Sequence, residues 1–286
     1  MRVVKVVPYD PGWIGLFESE AALLRSVFGN EVVAIHHIGS TSIPGMTAKP
    51  IIDALLEVRD IERVDGYNEQ MRRLGYDPRG EYGLARRRYF PKTVEGKRVV
   101  HVHSWERGDP EILRHLAFRD YLIAHPLEAA AYGSLKTELV RQYAGDNEAY
   151  IAGKHDLCVR MEGKAMAWQE DLSAQIQESA RLQLVPLSAA QLEFLLKRPE
   201  QLEAALGTTV SHQVANSAVV RHAIRLKKYR IIHATEEAFP WHTYWLAIVR
   251  AKRFGAGLIG FKGVPDGQGE VEIGYGIDPD FRSKGY

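Results

Sequence analysis

The stretch that most restricts how this chain can fold is EVVAIHHIGSTSIPGMTAKPIIDALLEV, from Glu31 to Val58. EVVAIHHIG reads as a strand running into a Gly-Ser turn, and PIIDALLEV reads as a second, largely buried strand with Asp53 inside its apolar run. Gly39 permits close backbone approach, while Ser40, Thr41 and Ser42 supply hydroxyls beside free N–H groups. Lys49 adds a point charge for a phosphate. A turn of this kind feeding a strand-borne acid suggests a phosphate cradle beside a metal site, and such a site normally needs two or three carboxylates. Only Asp53 is present. The same-face position two residues on is Leu55. Glu57 lies four residues along, roughly 13 Å away at strand rise, whereas paired catalytic metals sit about 3.5–4 Å apart.

Two imidazoles offer a replacement. In VVHVHSW the alternation sets His101 and His103 on one face and Val100 and Val102 on the other. If that strand neighbours Asp53, the three side chains form a single-metal site. The alternation fits the solvated face of a half-buried strand equally well. Arg86, Arg87 and Arg88 either steer an anion toward that face or form a solvated charge run. Arg119 and Asp120 read as a structural ion pair on a helix.

The surrounding pattern is α+β. VVKVV at residues 3–7 reads as a short strand, and Asp10-Pro11 opens an amphipathic helix through Trp13, Leu16, Phe17, Leu23, Leu24 and Phe28. A helix capped by Asp60 runs to Gly75, two strands flank a Glu-Gly-Lys hairpin turn, and residues from Asp109 to about Ala180 are helical. After Arg181 the period changes. A strand (LQLVPLS), a helix interrupted near Pro199, and three strands from Trp241 onward make a second α+β unit. The boundary falls near 175–182, giving domains 1–178 and 181–286.

At 286 residues, two cores are expected. A net charge of +1 supplies no global case for binding nucleic acid or an anionic membrane. Cys158 is the only cysteine, which excludes a disulfide framework and a Cys-rich zinc site, and its helical context reads as a small buried residue. The chain shows no signal-peptide pattern and no membrane-length apolar run, so a cytoplasmic location is the default expectation.

GSTSIPGMTAKPIID, HVHSW and HLAFRDYLIAHP resemble the GrpB family, whose fold belongs to the nucleotidyltransferase superfamily of DNA polymerase β. The resemblance spans roughly residues 3–168. It implies a mixed sheet with flanking helices, a Gly-Ser turn that holds nucleotide phosphates, and strand-borne acids that bind divalent ions such as Mg²⁺. Gly39, Ser40 and Asp53 fall on those positions. GEVEIGYGIDPDFRSKGY is similar to the GNAT acyltransferases. Arg282, Ser283, Lys284, Gly285 and Tyr286 match the first five positions of that family's pyrophosphate loop. The resemblance implies acetyl-coenzyme A as cofactor, an amine acceptor, and Glu272 as general base on a central strand. The family's following helix and splayed partner strand are absent from the sequence, so this domain is expected to be C-terminally incomplete.

Three functions compete on these residues. One is a two-domain transferase with a nucleotide-binding module joined to an incomplete acyltransferase. The second is a non-catalytic nucleotide-binding or interaction module, favoured by Leu55. The third is single-metal phosphohydrolase chemistry through Asp53, His101 and His103.

Overall fold

The computed structural model describes residues 5–143, 145–235 and 237–286. The chain divides into two compact units, residues 1–166 and 167–286. Both are α+β with mixed sheets. The division falls inside a long helix, N-terminal to the expected boundary near 175–182.

The first unit begins with helix α1 (Gly12–Phe28), which buries Trp13, Phe17, Ala21, Leu24 and Phe28. Burying each of the large side chains contributes about 1.5–3 kcal/mol. The expected strand at 3–7 lies partly outside the described residues, and Val7 forms an isolated bridge with Ala48. Four strands follow: β1 (Val32–Ile38), β2 (Ile52–Val58), β3 (Arg88–Val94) and β4 (Lys97–Glu106). Their spatial order is β1-β2-β4-β3. The β2–β4 pair is parallel and the outer pairs are antiparallel. The segment expected as one helix after Asp60 is a 3₁₀ turn (Glu62–Tyr67) leading into α2 (Asn68–Arg73). Gly66 in mid-segment disfavours a continuous α-helix.

The two faces of this sheet differ. Ile35, Ile52, Ala54, Leu56, Val58, Phe90, Val100 and Val102 pack with α1 in the main core. On the other face Ile38, Leu55 and Trp105 pack with Ile112 and Leu116 of α3 (Pro110–Ala124). Asp109 caps that helix by accepting from the Glu111 N–H at 2.9 Å, with Pro110 in its first turn. Helices α4 (Pro126–Gln142) and α5 (Asn147–Ala174) follow. Arg119 is buried, pairs with Asp120 at 2.7 Å and donates to the His37 carbonyl at 3.0 Å, tying α3 to the end of β1.

The second unit contains β5 (Gln177–Glu178), β6 (Leu182–Pro186), α6 (Ala189–Lys197), α7 (Pro199–Leu206), β7 (Thr209–Val210), α8 (Ala218–Ile232), α9 (Phe239–His242), β8 (Tyr244–Val249), β9 (Phe254–Phe261) and β10 (Ile273–Ile277). Its sheet runs β10-β9-β8-β6-β5, with β7 pairing β9. Helix α8 escaped the sequence reading. It buries Ile224, Lys227 and Ile231, a narrow stripe broken by a lysine, so its apolar period is weak.

Candidate functional site

Register assembles the site. In the parallel β2–β4 pair Asp53 lies opposite His101 and Leu55 opposite His103. The period of two then turns Asp53, His101 and His103 to one face. His101 Nδ1 stands 2.9 Å from Asp53 Oδ1 and His103 Nε2 stands 3.9 Å from the same oxygen. One potential ligand atom from each of the three lies within 4.8 Å of the others. Burial alone would raise the Asp53 carboxyl, but the His101 hydrogen bond, with the nearby His103 imidazole, holds it well below the usual carboxylate range. Burial pushes His103 below the ordinary histidine value against the pull of Asp53, favouring its neutral form.

Gly39 explains why the turn precedes Asp53 so closely. Its φ is 69° and its ψ −174°, a conformation open essentially to glycine alone. A Cβ built there would meet Asp53 Oδ2 at 2.4 Å. The group that approaches this glycine is therefore the carboxylate of the site itself.

The turn hydroxyls divide their work. Ser40 Oγ accepts from Lys136 Nζ at 2.9 Å. Thr41 Oγ1 reaches the Ile51 carbonyl and His37 Nε2. Ser42 turns inward and donates to the Gly39 carbonyl at 2.6 Å, closing the turn on itself. A pocket of about 250 Å³ opens in front of Ser40, Thr41, Asp53 and His101. Lys49, Lys136 and Lys154 also line it, with Tyr132 and Tyr150 as aromatic walls. Burial, reinforced by the charge of Lys154, lowers Lys136 to about 7 and Lys49 to about 8. Lys136 lies 4.6 Å from the Tyr132 ring centre and Lys49 lies 4.2 Å from that of Tyr150. Burial pushes Tyr150 up to about 12. Cys158 is half-buried and donates to the Tyr132 hydroxyl at 3.4 Å.

Lys136, Lys154, Tyr132 and Tyr150 were missed in the sequence. They sit on helices far along the chain from the Gly-Ser turn, with no motif marking them. The arginine run separates in space. Arg86 pairs with Asp109, Arg88 pairs with Asp65, and Arg87 alone turns toward His103. Leu55 is fully buried against Ile38, Trp105 and Ile112, so a carboxylate there would be surrounded by apolar groups. Glu57 faces His36 at 3.7 Å and Arg107 at 3.8 Å, away from Asp53.

The residues singled out in the second unit make local contacts among the described residues. Glu272 was expected on a central strand. It precedes β10, which among the described residues pairs only with β9 and is exposed along its length. Its carboxylate forms an exposed ion pair with Lys262. Arg282 Nε donates to the Ile277 carbonyl at 3.0 Å, Lys284 lies over the Phe281 ring and Tyr286 lies under Arg181. Ser283 and Gly285 adopt positive φ.

A profile of the family described as GrpB protein matches residues 3–164, more than half of the chain and wholly within the first unit. The chain belongs to the GrpB family. It is 50% identical over 169 residues to UPF0157 protein YqkA of Bacillus subtilis (strain 168), across 59% of this chain and 49% of YqkA. It therefore spans about half the length of that relative. It is 34% identical over 155 residues to glutamate-rich protein GrpB of Alkalihalophilus pseudofirmus, covering 53% of this chain and 89% of that protein. The crystal structure of conserved protein GrpB from Enterococcus faecalis matches with a TM-score of 0.56 and 40% identity, over 58% of this chain and 99% of that one. A more distant match, 27% identical over 176 residues, is a dephospho-CoA kinase of Mycolicibacterium paratuberculosis, across 53% of this chain and 43% of that protein. No helix among the described residues is long and apolar enough to cross a membrane.

Proposed function

We propose that the GrpB domain binds a nucleotide or another phosphorylated small molecule in the pocket before Ser40. The observation that carries this reading is the charge of the lining: Lys49, Lys136 and Lys154 face a cavity whose only acid among the described residues is Asp53, already engaged by His101. Buried amines whose protonation is suppressed gain most from an arriving anion. Tyr132 and Tyr150 supply apolar wall for the rest of the ligand. The dephospho-CoA kinase relative makes dephospho-CoA a natural probe beside ATP. Calorimetry with ATP, dephospho-CoA and inorganic phosphate, on the full chain and on Ser40→Ala and Lys136→Met, tests the reading. Saturable heat lost in Lys136→Met supports it. Absence of heat with all three probes would put the interaction-module reading ahead.

A second reading, favoured by the three ligand atoms within 4.8 Å, is a single divalent ion at Asp53, His101 and His103. Two imidazoles and one carboxylate suit zinc, manganese or iron better than Mg²⁺, which prefers oxygen ligands. Such an ion would supply Lewis-acid chemistry for phosphohydrolysis or transfer. The second unit is proposed, on its resemblance alone, to be of acyltransferase type; in a complete domain of that type Arg282–Tyr286 would meet acetyl-coenzyme A and Glu272 would act as base toward an amine. Titration with acetyl-coenzyme A, before and after Gly285→Glu, tests that assignment. A cytoplasmic location fits both readings.

A further inference from the structure

The metal reading and the hydrogen-bonded arrangement are competing uses of the same atoms, and Arg87 discriminates between them. Arg87 is buried, and its guanidinium is held on several sides. Nε donates to the Glu81 carbonyl at 3.2 Å and Nη2 to the Tyr82 carbonyl at 2.8 Å. The guanidinium carbon lies 4.8 Å from the centre of the Tyr89 ring. Nη1 stands 3.3 Å from His103 Nδ1. The loop that supplies these carbonyls carries two non-glycine residues in the left-handed region, Tyr82 at φ 45° and Arg86 at φ 60°. Backbone of that kind persists only where its surroundings over-determine it.

A guanidinium has five donors and no acceptor, and it stays protonated in proteins. Beside Arg87 Nη1, His103 Nδ1 is therefore the accepting nitrogen. In the neutral ring the proton resides on Nε2, the atom facing Asp53 Oδ1 across 3.9 Å. A metal ion bound through Nε2 requires the opposite tautomer, with its proton on Nδ1. That proton would point into an N–H of Arg87, where histidine ligands ordinarily find a carbonyl, carboxylate or water. His101 has the complementary polarity. Its Nδ1 donates to Asp53 at 2.9 Å, which leaves the lone pair on Nε2 of a ring lining the pocket.

We propose that Arg87 is a positioning residue that fixes His103 as the Nε2–H tautomer, turns that N–H toward Asp53, and leaves His101, whose Nδ1 donates to Asp53, with Nε2 as the proton-accepting nitrogen of the pocket. Asp53 then orients an imidazole base toward a bound ligand's hydroxyl or water. The proposal rests on Asp53, His101 and His103 forming one site and is independent of which phosphorylated ligand enters.

The test uses the full chain labelled with ¹⁵N, reading histidine tautomers by two-bond ¹H–¹⁵N correlation and titrating Zn²⁺ as the metal probe. In the unaltered protein His103 is expected with unprotonated Nδ1 and protonated Nε2, and His101 with the reverse. Arg87→Lys keeps a donor-only group and is expected to preserve the His103 tautomer. Arg87→Gln replaces a donor-only group by an amide whose oxygen can accept from Nδ1; where the His103 proton moves to Nδ1, Zn²⁺ affinity is expected to rise by about tenfold or more, the usual scale of outer-shell effects on metal sites. A protonated His103 Nδ1 in the unaltered protein overturns the proposal, as does a folded Arg87→Gln in which the proton has moved to Nδ1 and Zn²⁺ affinity is unchanged or weaker. Should Arg87→Gln fail to fold, the tautomers of the unaltered chain still decide. Loss of nucleotide binding with these tautomers intact would count against the phosphorylated-ligand reading alone.

Discussion

Gly39 and Gly285 have nearly the same φ, 69° and 67°, and both stand in segments singled out as phosphate-binding. Their surroundings differ. At Gly39 a carboxylate occupies the space of the missing Cβ at 2.4 Å, whereas at Gly285 the nearest atom is Arg181 Nη1, the tip of a flexible side chain, at 3.6 Å. The same contrast holds for the cations nearby. Lys136 is 2% exposed in the first unit and is held by Ser40, while Arg282 and Lys284 are exposed in the second. A turn with the right residues gains binding potential when other elements bring desolvated, convergent groups to it, as Lys136 and Asp53 are brought to the first segment.

Substituting each glycine in turn should separate the two segments most strongly. Gly39→Ala adds left-handed strain to a clash with Asp53, so it is expected to cost roughly 2–5 kcal/mol and to abolish ligand binding. Gly285→Ala carries the backbone cost alone, about 1 kcal/mol. Denaturant melts of the two variants measure both, and equal losses would show that the Asp53 contact does not matter.

Lysine removal comes next. Lys136→Met deletes a buried, charge-assisted contact, and ATP or phosphate affinity is expected to fall about ten- to a hundredfold. Lys284→Met is expected to leave it within about twofold, as screened exposed charges contribute little. Calorimetry on both variants decides, and a larger effect at Lys284 would reverse the assignment.

The pH dependence is a smaller effect with a definite sign. Lys136 is lowered from 10.5 to about 7 and Lys49 to about 8, so raising the pH from about 6.5 to 9 discharges both amines in the free pocket. Anion affinity is therefore expected to fall across that window, and Lys136→Met to remove the lower part of the fall. Stability moves the opposite way. The folded chain releases the Lys136 proton near 7 while the unfolded chain keeps it to about 10.5, so the unfolded state binds more protons between those values and stability rises with pH there. Thermal melts of the unaltered protein and Lys136→Met across this range check the sign. Ser40→Ala should have the smallest effect, a few-fold loss of affinity, because it removes one neutral partner of Lys136.

What could be read without a structure was what local geometry controls. A period of two placed His101 and His103 on one face, an Asp-Pro start and apolar spacing marked α1, and a glycine before a hydroxyl-rich turn marked the position that Asp53 approaches. The GrpB resemblance rested on the same contiguous stretches. Tertiary structure decided everything that depends on which elements become neighbours. It set Asp53 opposite His101, brought Lys136 and Lys154 from α4 and α5 to the Gly-Ser turn, and sent Arg87 rather than Arg86 or Arg88 to His103. It also packed Leu55 under α3, where a second acid would lie among apolar groups, and left β10 paired, among the described residues, with β9 alone and Glu272 exposed. The physical reason is one of range. Backbone dihedrals and side-chain parity are properties of a few consecutive residues, whereas desolvation and charge convergence arise only when distant segments pack together.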